Sequence, residues 1–248
     1  MKMLLFIFLM TINLFSCSSQ THENIVLVNV EHLDRAGIAQ EISTLNALNP
    51  RVIAIDLQFD ESRHDEKDTK LVNALWECKN LVMPSLVHNL NGKIFTSSAS
   101  QLEFSAYAKT GFVNTLPEND TNHTLKRFTV WEKESYGEQA SKYHFAARTA
   151  MSYDSIKAMK FINAHPKIVD IDYKEGKRQF KILSAKEVLD GKVTKKDIEG
   201  KIVMISFLGP GNEDKFYTPL NKHPKEPDMY GVEYLANIVA QILEYNGE

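Results

Sequence analysis

Two carboxylates stand directly behind apolar runs. Asp56 closes "RVIAID" (51–56), and Asp214 closes "GKIVMISFLGPGNED" (200–214). A carboxylate at the end of a buried strand loses part of its hydration, which favours its neutral form. Two such groups brought together can divide acid and base roles. They can equally hydrogen-bond loop amides and close a sheet edge, or hold the donor groups of a small polar ligand. Between them, "LGPG" supplies Gly209 and Gly211. Two glycines after a strand leave backbone N–H groups free to face a ligand, or make a tight turn. Asn29, near the end of "IVLVNV" (25–30), adds a carboxamide to the same set.

Other chemistry-bearing groups form weaker patterns. The loop "DESRHDEKD" (60–68) surrounds His64 with acids, yet its spacing fits neither a calcium loop nor a paired-His zinc site. It reads as a solvated charged loop, and no metal is expected. The glycine spacing lacks both the dinucleotide fingerprint and the Lys-Ser/Thr phosphate loop, and no cofactor is expected. No G-x-S-x-G elbow occurs, and the eight His residues fall in no nucleophile-base order. The chain is read as a non-enzyme.

The elements that position these residues read as alternating strands and helices. "IVLVNV" and "RVIAID" are nearly continuous apolar runs, as in strands covered on both faces. Between them Asp34 can cap a helix carrying Ile38, Ile42, Leu45 and Leu48, ended by Asn49-Pro50. Asp68 is expected to cap a second helix with Leu71, Leu75 and Cys78 on one face. "NLVMP" (80–84) is a third strand. Asp56 therefore falls at a carboxyl strand end, where open α/β sheets place their crevice.

The middle of the chain is less regular. Residues 92–111 read as loop with short elements, and 111–131 as two strands flanking an Asn/Asp-rich turn. A helix is expected from Glu138 to Met151, on the spacing of Ala140, Tyr143, Ala147 and Met151. "IVDIDY" (168–173) and "RQFKIL" (178–183) look like a strand pair around "KEGK". Ser184 and Glu187 form a capping box, and the helix they open stops at Gly191. "KIVMIS" is a further buried strand. A last helix runs from Gly231 to Leu243, with Leu235, Val239 and Ile242 inward. The fold class is α/β: one domain with a central, mostly parallel sheet flanked by helices, plus short antiparallel strand pairs.

Composition bounds the surroundings. The 248 residues are 43% hydrophobic and 25% charged, with a net charge of −3. That is globular composition without the basic excess of a nucleic-acid surface. The N-terminus carries one Lys and an apolar run from Met3 to Phe15, the length of a signal-peptide core and short for a membrane span. It ends "LFSC", the pattern of a bacterial lipoprotein cleavage site at Cys17, although Phe15 is bulkier than usual there. The expected organisation is a signal peptide (1–17), a polar tether (18–24) and the α/β domain (25–248). Acyl chains on Cys17 would anchor it to the membrane; an uncleaved N-terminal anchor is the alternative. Both place the domain outside the cytoplasm. With Cys17 lipidated, Cys78 has no disulfide partner.

The ordered series "NPRVIAIDLQF", "NLVMP", "GFVNTLPENDTNHTLKRF", "SAKEVLDG", "GKIVMISFLGPGNEDKFYTP" and "YGVEYLAN" resembles the CHASE domain of the second type, a cyclase/histidine-kinase-associated sensory extracellular domain. The matching residues are Asp56, Gly111, Phe112, Pro117, Gly200, Gly209, Asp214, Thr218, Pro219, Gly231, Glu233 and Asn237. The resemblance implies an extracytoplasmic sensory module of α/β type. Family members usually lie between membrane segments ahead of a cytoplasmic output domain, and neither later segments nor an output domain is seen here. The expectation is a ligand- or partner-binding envelope domain. Asn29, Asp56, Gly209, Gly211 and Asp214 would contact a small polar ligand. The alternatives are an envelope hydrolase using Asp56 and Asp214, or an interaction protein docking through the last helix or residues 92–110.

Overall fold

A computed structural model describes residues 21–136, 141–176 and 178–247. The expected signal peptide and Cys17 lie outside the described residues, as does Ala140.

Strand β1 (Thr21–Asn29) leads through α1 (Arg35–Ala47) to β2 (Val52–Ile55), and α2 (Glu66–Trp76) leads on to β3 (Leu81–Leu90). Next come β4 (Lys93–Ser98), α3 (Leu102–Ser105) and β5 (Lys109–Phe112). Short strands β6 (Leu116–Pro117), β7 (Leu125–Thr129), β8 (Trp131–Lys133) and β9 (Ser141–Tyr143) precede helices α4 (Phe145–Tyr153) and α5 (Ser155–Ala164). Then follow β10 (Ile168–Asp170), β11 (Gln179–Ser184), α6 (Ala185–Leu189), α7 (Lys195–Ile198) and β12 (Ile202–Ser206). β13 (Lys215–Phe216), β14 (Met229–Tyr230) and α8 (Gly231–Glu244) come last.

The main sheet runs β11-β1-β12-β2-β3-β4, with β5 also paired to β3. All its neighbours are parallel except the β3–β4 hairpin. The continuous apolar runs are explained by the layers on both faces. In β1, β2 and β12, Ile25, Leu27, Val52, Ala54, Ile202 and Met204 face α4, α5 and α8. Their neighbours Val26, Val28, Ile53, Ile55, Val203 and Ile205 face α1, α2, α6 and α7. Period-2 alternation with an apolar layer on each side leaves no polar position inside these strands.

Local signals open the helices. Asp34 accepts from the Gly37 N–H at 2.9 Å, and the Ser184–Glu187 capping box is formed. Helix α2, however, is capped by Asp65, which accepts from the Lys67 and Asp68 N–H groups. Asp68 sits one turn inside, buried, where it takes the Arg35 guanidinium and the Arg63 N–H. The charged loop is thus partly a tie between α1 and α2. Sequence spacing placed the cap three residues late because both acids satisfy the same local rule and only the Arg35 contact separates them.

Four further expectations change. β1 opens at Thr21, so it takes in the end of the expected tether. Helix α4 starts at Phe145, and Tyr143 is in a strand paired with β8. The segments 168–173 and 178–183 do not pair: β10 joins β7, while β11 becomes the edge of the main sheet beside β1. Residues 92–111 are more regular than read, forming β4, α3 and β5.

Candidate functional site

Period-2 alternation fixes which face the site occupies. Asn29, Asp56 and Ser206 each continue the series that faces α8 and α4, one step beyond the last core residue of β1, β2 and β12. Adjacent strands β2 and β12 then part company. The chain after β2 goes to α2 on one face, and the chain after β12 goes to α8 on the other. Divergence of neighbouring connections opens a crevice at the carboxyl edge of a parallel sheet.

At this edge Asp56 N donates to Ile205 O at 2.8 Å, and Ser206 Oγ donates to Asp56 O at 3.3 Å. The Asp56 carboxyl is pushed up to about 7, chiefly by burial and secondarily by the charge of Asp214, against an opposing hydrogen bond from Ser206. Burial pushes Asp214 up to about 6. The two carboxylates proposed from sequence lie within electrostatic reach of each other, and burial favours the neutral form of each.

The loop after β12 is seated by contacts at both ends. Asn29 Nδ2 donates to Leu208 O at 3.1 Å, while the Leu208 and Glu31 N–H groups donate to Asn29 Oδ1 at 2.9 and 3.0 Å. Asn29 thus shapes the wall by holding backbone. Tyr230 Oη donates to Gly209 O at 2.5 Å. A Cβ on Gly209 would stand 2.1 Å from the Phe207 ring, and one on Gly211 2.1 Å from the Glu213 carboxylate. A side chain at either position would require that neighbouring side chain to move. Farther on, the Gly231 N–H donates to Asp214 O at 2.9 Å, which puts Asp214 at the N-terminus of α8.

Ser206 and Tyr230 were not singled out from sequence, and Gly231 was named there only as part of the family pattern and as the start of the last helix. Ser206 had a signal, since it follows the apolar run of β12 as Asp56 follows that of β2. Tyr230 had none, because its hydroxyl meets a carbonyl brought close only by the fold. Among the described residues, no group of three or more His, Cys, Asp or Glu side chains is placed to hold a metal ion. No described helix is long and apolar enough to cross a membrane.

The architecture is that of an open α/β domain with a mostly parallel central sheet flanked by helices. The CHASE2 domain model matches residues 18–248, and the chain belongs to that family of extracellular sensory domains. No curated protein and no solved structure matches it.

Proposed function

We propose that this chain binds a small polar ligand outside the cytoplasm, at the edge formed by Asn29, Asp56, Gly209, Gly211 and Asp214, and presents the bound state to an envelope partner. Cys17 carries the lipid that holds it at the membrane. The observation that supports this reading is a pair of carboxyls at the edge where neighbouring strands diverge: Asp56 feels the charge of Asp214, and burial holds both above the ordinary carboxylate range. Carboxyls that burial holds partly protonated suit a ligand with hydroxyl, amide or ammonium groups, and membership of a sensory family supports recognition over turnover.

A thermal-shift screen of the purified chain against polar metabolites tests the site. A true ligand raises the melting temperature with occupancy, and Asp56→Asn and Asp214→Asn remove the shift while leaving the folded chain intact. Hits indifferent to both substitutions would place the site elsewhere. Hydrolysis also uses paired carboxyls in different protonation states, so consumption of the ligand, abolished by both variants, would mark an envelope hydrolase instead. Docking through the last helix is less favoured, since most of α8 is buried; the 92–110 segment does expose Leu102 and Tyr107. Incorporation of labelled fatty acid in cells, lost in Cys17→Ser, tests the anchor.

A further inference from the structure

The amino edge of the main sheet, opposite the carboxyl-edge set, is where β1, β2, β3, β5 and β12 begin. Helix α8 starts beside Asp214 and ends at this edge, with Glu244 Oε1 3.6 Å from Nε2 of His22 in β1. Asn80, just before β3, donates through Nδ2 to Arg51 O at 2.9 Å and to Ser152 O at 2.8 Å. The starts of β2 and β3 and the last turn of α4 therefore form one continuous surface, and α5 begins from it at Ser155.

Three strongly exposed large apolar side chains stand at this edge. Trp76, 63% exposed, is the last residue of α2; Tyr107, 60% exposed, lies two positions before β5; Ile156, 84% exposed, is in the first turn of α5. The Trp76 and Tyr107 rings stack with centroids 5.7 Å apart. An exposed Trp–Tyr pair, apolar in body and polar at its tips, suits a boundary between water and an apolar phase. Arg51, Lys79, Lys109 and Lys157 are exposed along the same edge. None is ion-paired with a carboxylate among the described residues. Arg51 lies over the Tyr153 ring, and Lys109 Nζ donates to Asn80 Oδ1 at 2.9 Å. Exposed Glu23, Glu77 and Glu199 share the edge, so charge is near balance and the apolar groups decide the kind of surface.

We infer that this edge lies on a phospholipid bilayer, with Trp76, Tyr107 and Ile156 at the boundary between headgroups and acyl chains. The inference rests on the reading of Cys17 as the lipid anchor, and chain length carries it further. Ile25 is level with the first residues of β12 and β2. It follows Cys17 by eight positions, and a chain of that length reaches at most about 29 Å. The anchored end therefore enters at the amino edge and holds that edge, rather than the carboxyl-edge set, toward the lipid. An anchor in the apolar run that ends at Phe15 would lengthen the tether by only two residues. The cations without carboxylate partners suit the phosphates that every phospholipid carries. The carboxyl edge is left facing water, where a polar ligand arrives.

Tryptophan fluorescence tests this, because the chain has only Trp76 and Trp131. The full chain is purified from membranes with its anchor and reconstituted into vesicles of phosphatidylcholine and phosphatidylglycerol, with acyl chains brominated near the headgroup. In a Trp131→Phe background the bromines at least halve the Trp76 emission. In the unsubstituted chain Trp76→Phe removes most of the quenching, which decides the matter should Trp131→Phe fail to fold. A probe at the opposite edge, Glu61→Trp with both native tryptophans changed to Phe, is not quenched. Flotation separates the two readings. A chain that does not float with the vesicles has no anchor, and both readings fall. A chain that floats with Trp76 unquenched keeps its anchor and overturns this inference alone, leaving the Trp76–Tyr107 pair to a protein partner. Quenching at Glu61→Trp instead of Trp76 would put the carboxyl edge on the lipid and overturn it equally.

Discussion

The carboxylate of Asp214 lies against the Cα of Gly231: a methyl group on that glycine would stand 3.0 Å from Oδ1 and 3.1 Å from Oδ2. The same pair is joined by the Gly231 N–H to Asp214 O bond. The loop that follows β12 is thereby seated on the first turn of α8, where the helix dipole favours negative charge. One close approach sets both the direction of the helix and the position of an acid at the edge of the sheet.

Gly231→Ala measures that approach. Alanine in a helix is favoured over glycine by about 1 kcal/mol, but here the added methyl crowds the carboxylate. The substitution should be more favourable in an Asp214→Ala background than in the unsubstituted chain. A double-mutant cycle by urea unfolding should show coupling of at least about 0.5 kcal/mol. Additive effects would mean that the two groups do not press on each other.

Asp56 makes stability fall as pH rises. Its folded pKa of about 7 exceeds the ordinary 3.8, so between these values the folded state binds the extra proton. Stability is then highest below the ordinary value and declines across the window, by at most about 1.4 kcal/mol per pH unit for this one group. Asp56→Asn should flatten the decline between pH 4 and 7. An unchanged slope in urea midpoints would show that Asp56 ionises freely in the folded chain.

Glu41 contributes the same sign farther up the scale. It is fully buried on α1, neither carboxylate oxygen has a partner, and burial pushes it up to about 8. Glu41→Met replaces it with a good helix former of similar length. The variant should be more stable by about 1–3 kcal/mol, the cost of an unsatisfied buried polar group, with the gain larger at pH 9 than at pH 6. Loss of stability in Glu41→Met at both pH values would reveal a bonding role for the carboxylate.

His144 governs the acid side. Its ring is fully buried among Phe112, Phe128 and Tyr234, its Nδ1 accepts from the Ala146 N–H at the start of α4, and burial pushes it down to about 3. The unfolded state binds a proton near 6.5 that the folded state refuses, so stability falls as pH drops from 6.5 towards 3. His144→Asn retains a cap acceptor and loses ring packing. It should be less stable at pH 7 yet show a shallower acid limb by circular dichroism. An acid limb as steep as that of the unsubstituted chain would remove His144 as its cause.

Much of the frame was legible in local residue order. The runs at 25–30, 51–56 and 202–206 could be read as strands because their apolar residues leave no solvent face. Asp34 and Ser184 could be read as caps because capping involves neighbours three residues away. The reading failed where a choice depended on distant partners. Asp65 and Asp68 both suit a cap, and the Arg35 guanidinium, 33 positions from Asp68 in the chain, takes one of them. Segments 168–173 and 178–183 resembled a hairpin because a turn lay between them, yet β11 gains a longer partner in β1.

The layered α/β body and the arrival of Asn29 and Asp56 at strand ends follow from residue order alone, because burial on both faces writes itself into every residue of a strand. The entry of β12 between β1 and β2 is set by packing in three dimensions. That insertion brings Ser206 beside Asp56 across 150 positions of chain and carries Asp214 to the start of α8. Strand order depends on which distant surfaces pack together, and apolar periodicity within a segment is the same whichever neighbour it finds.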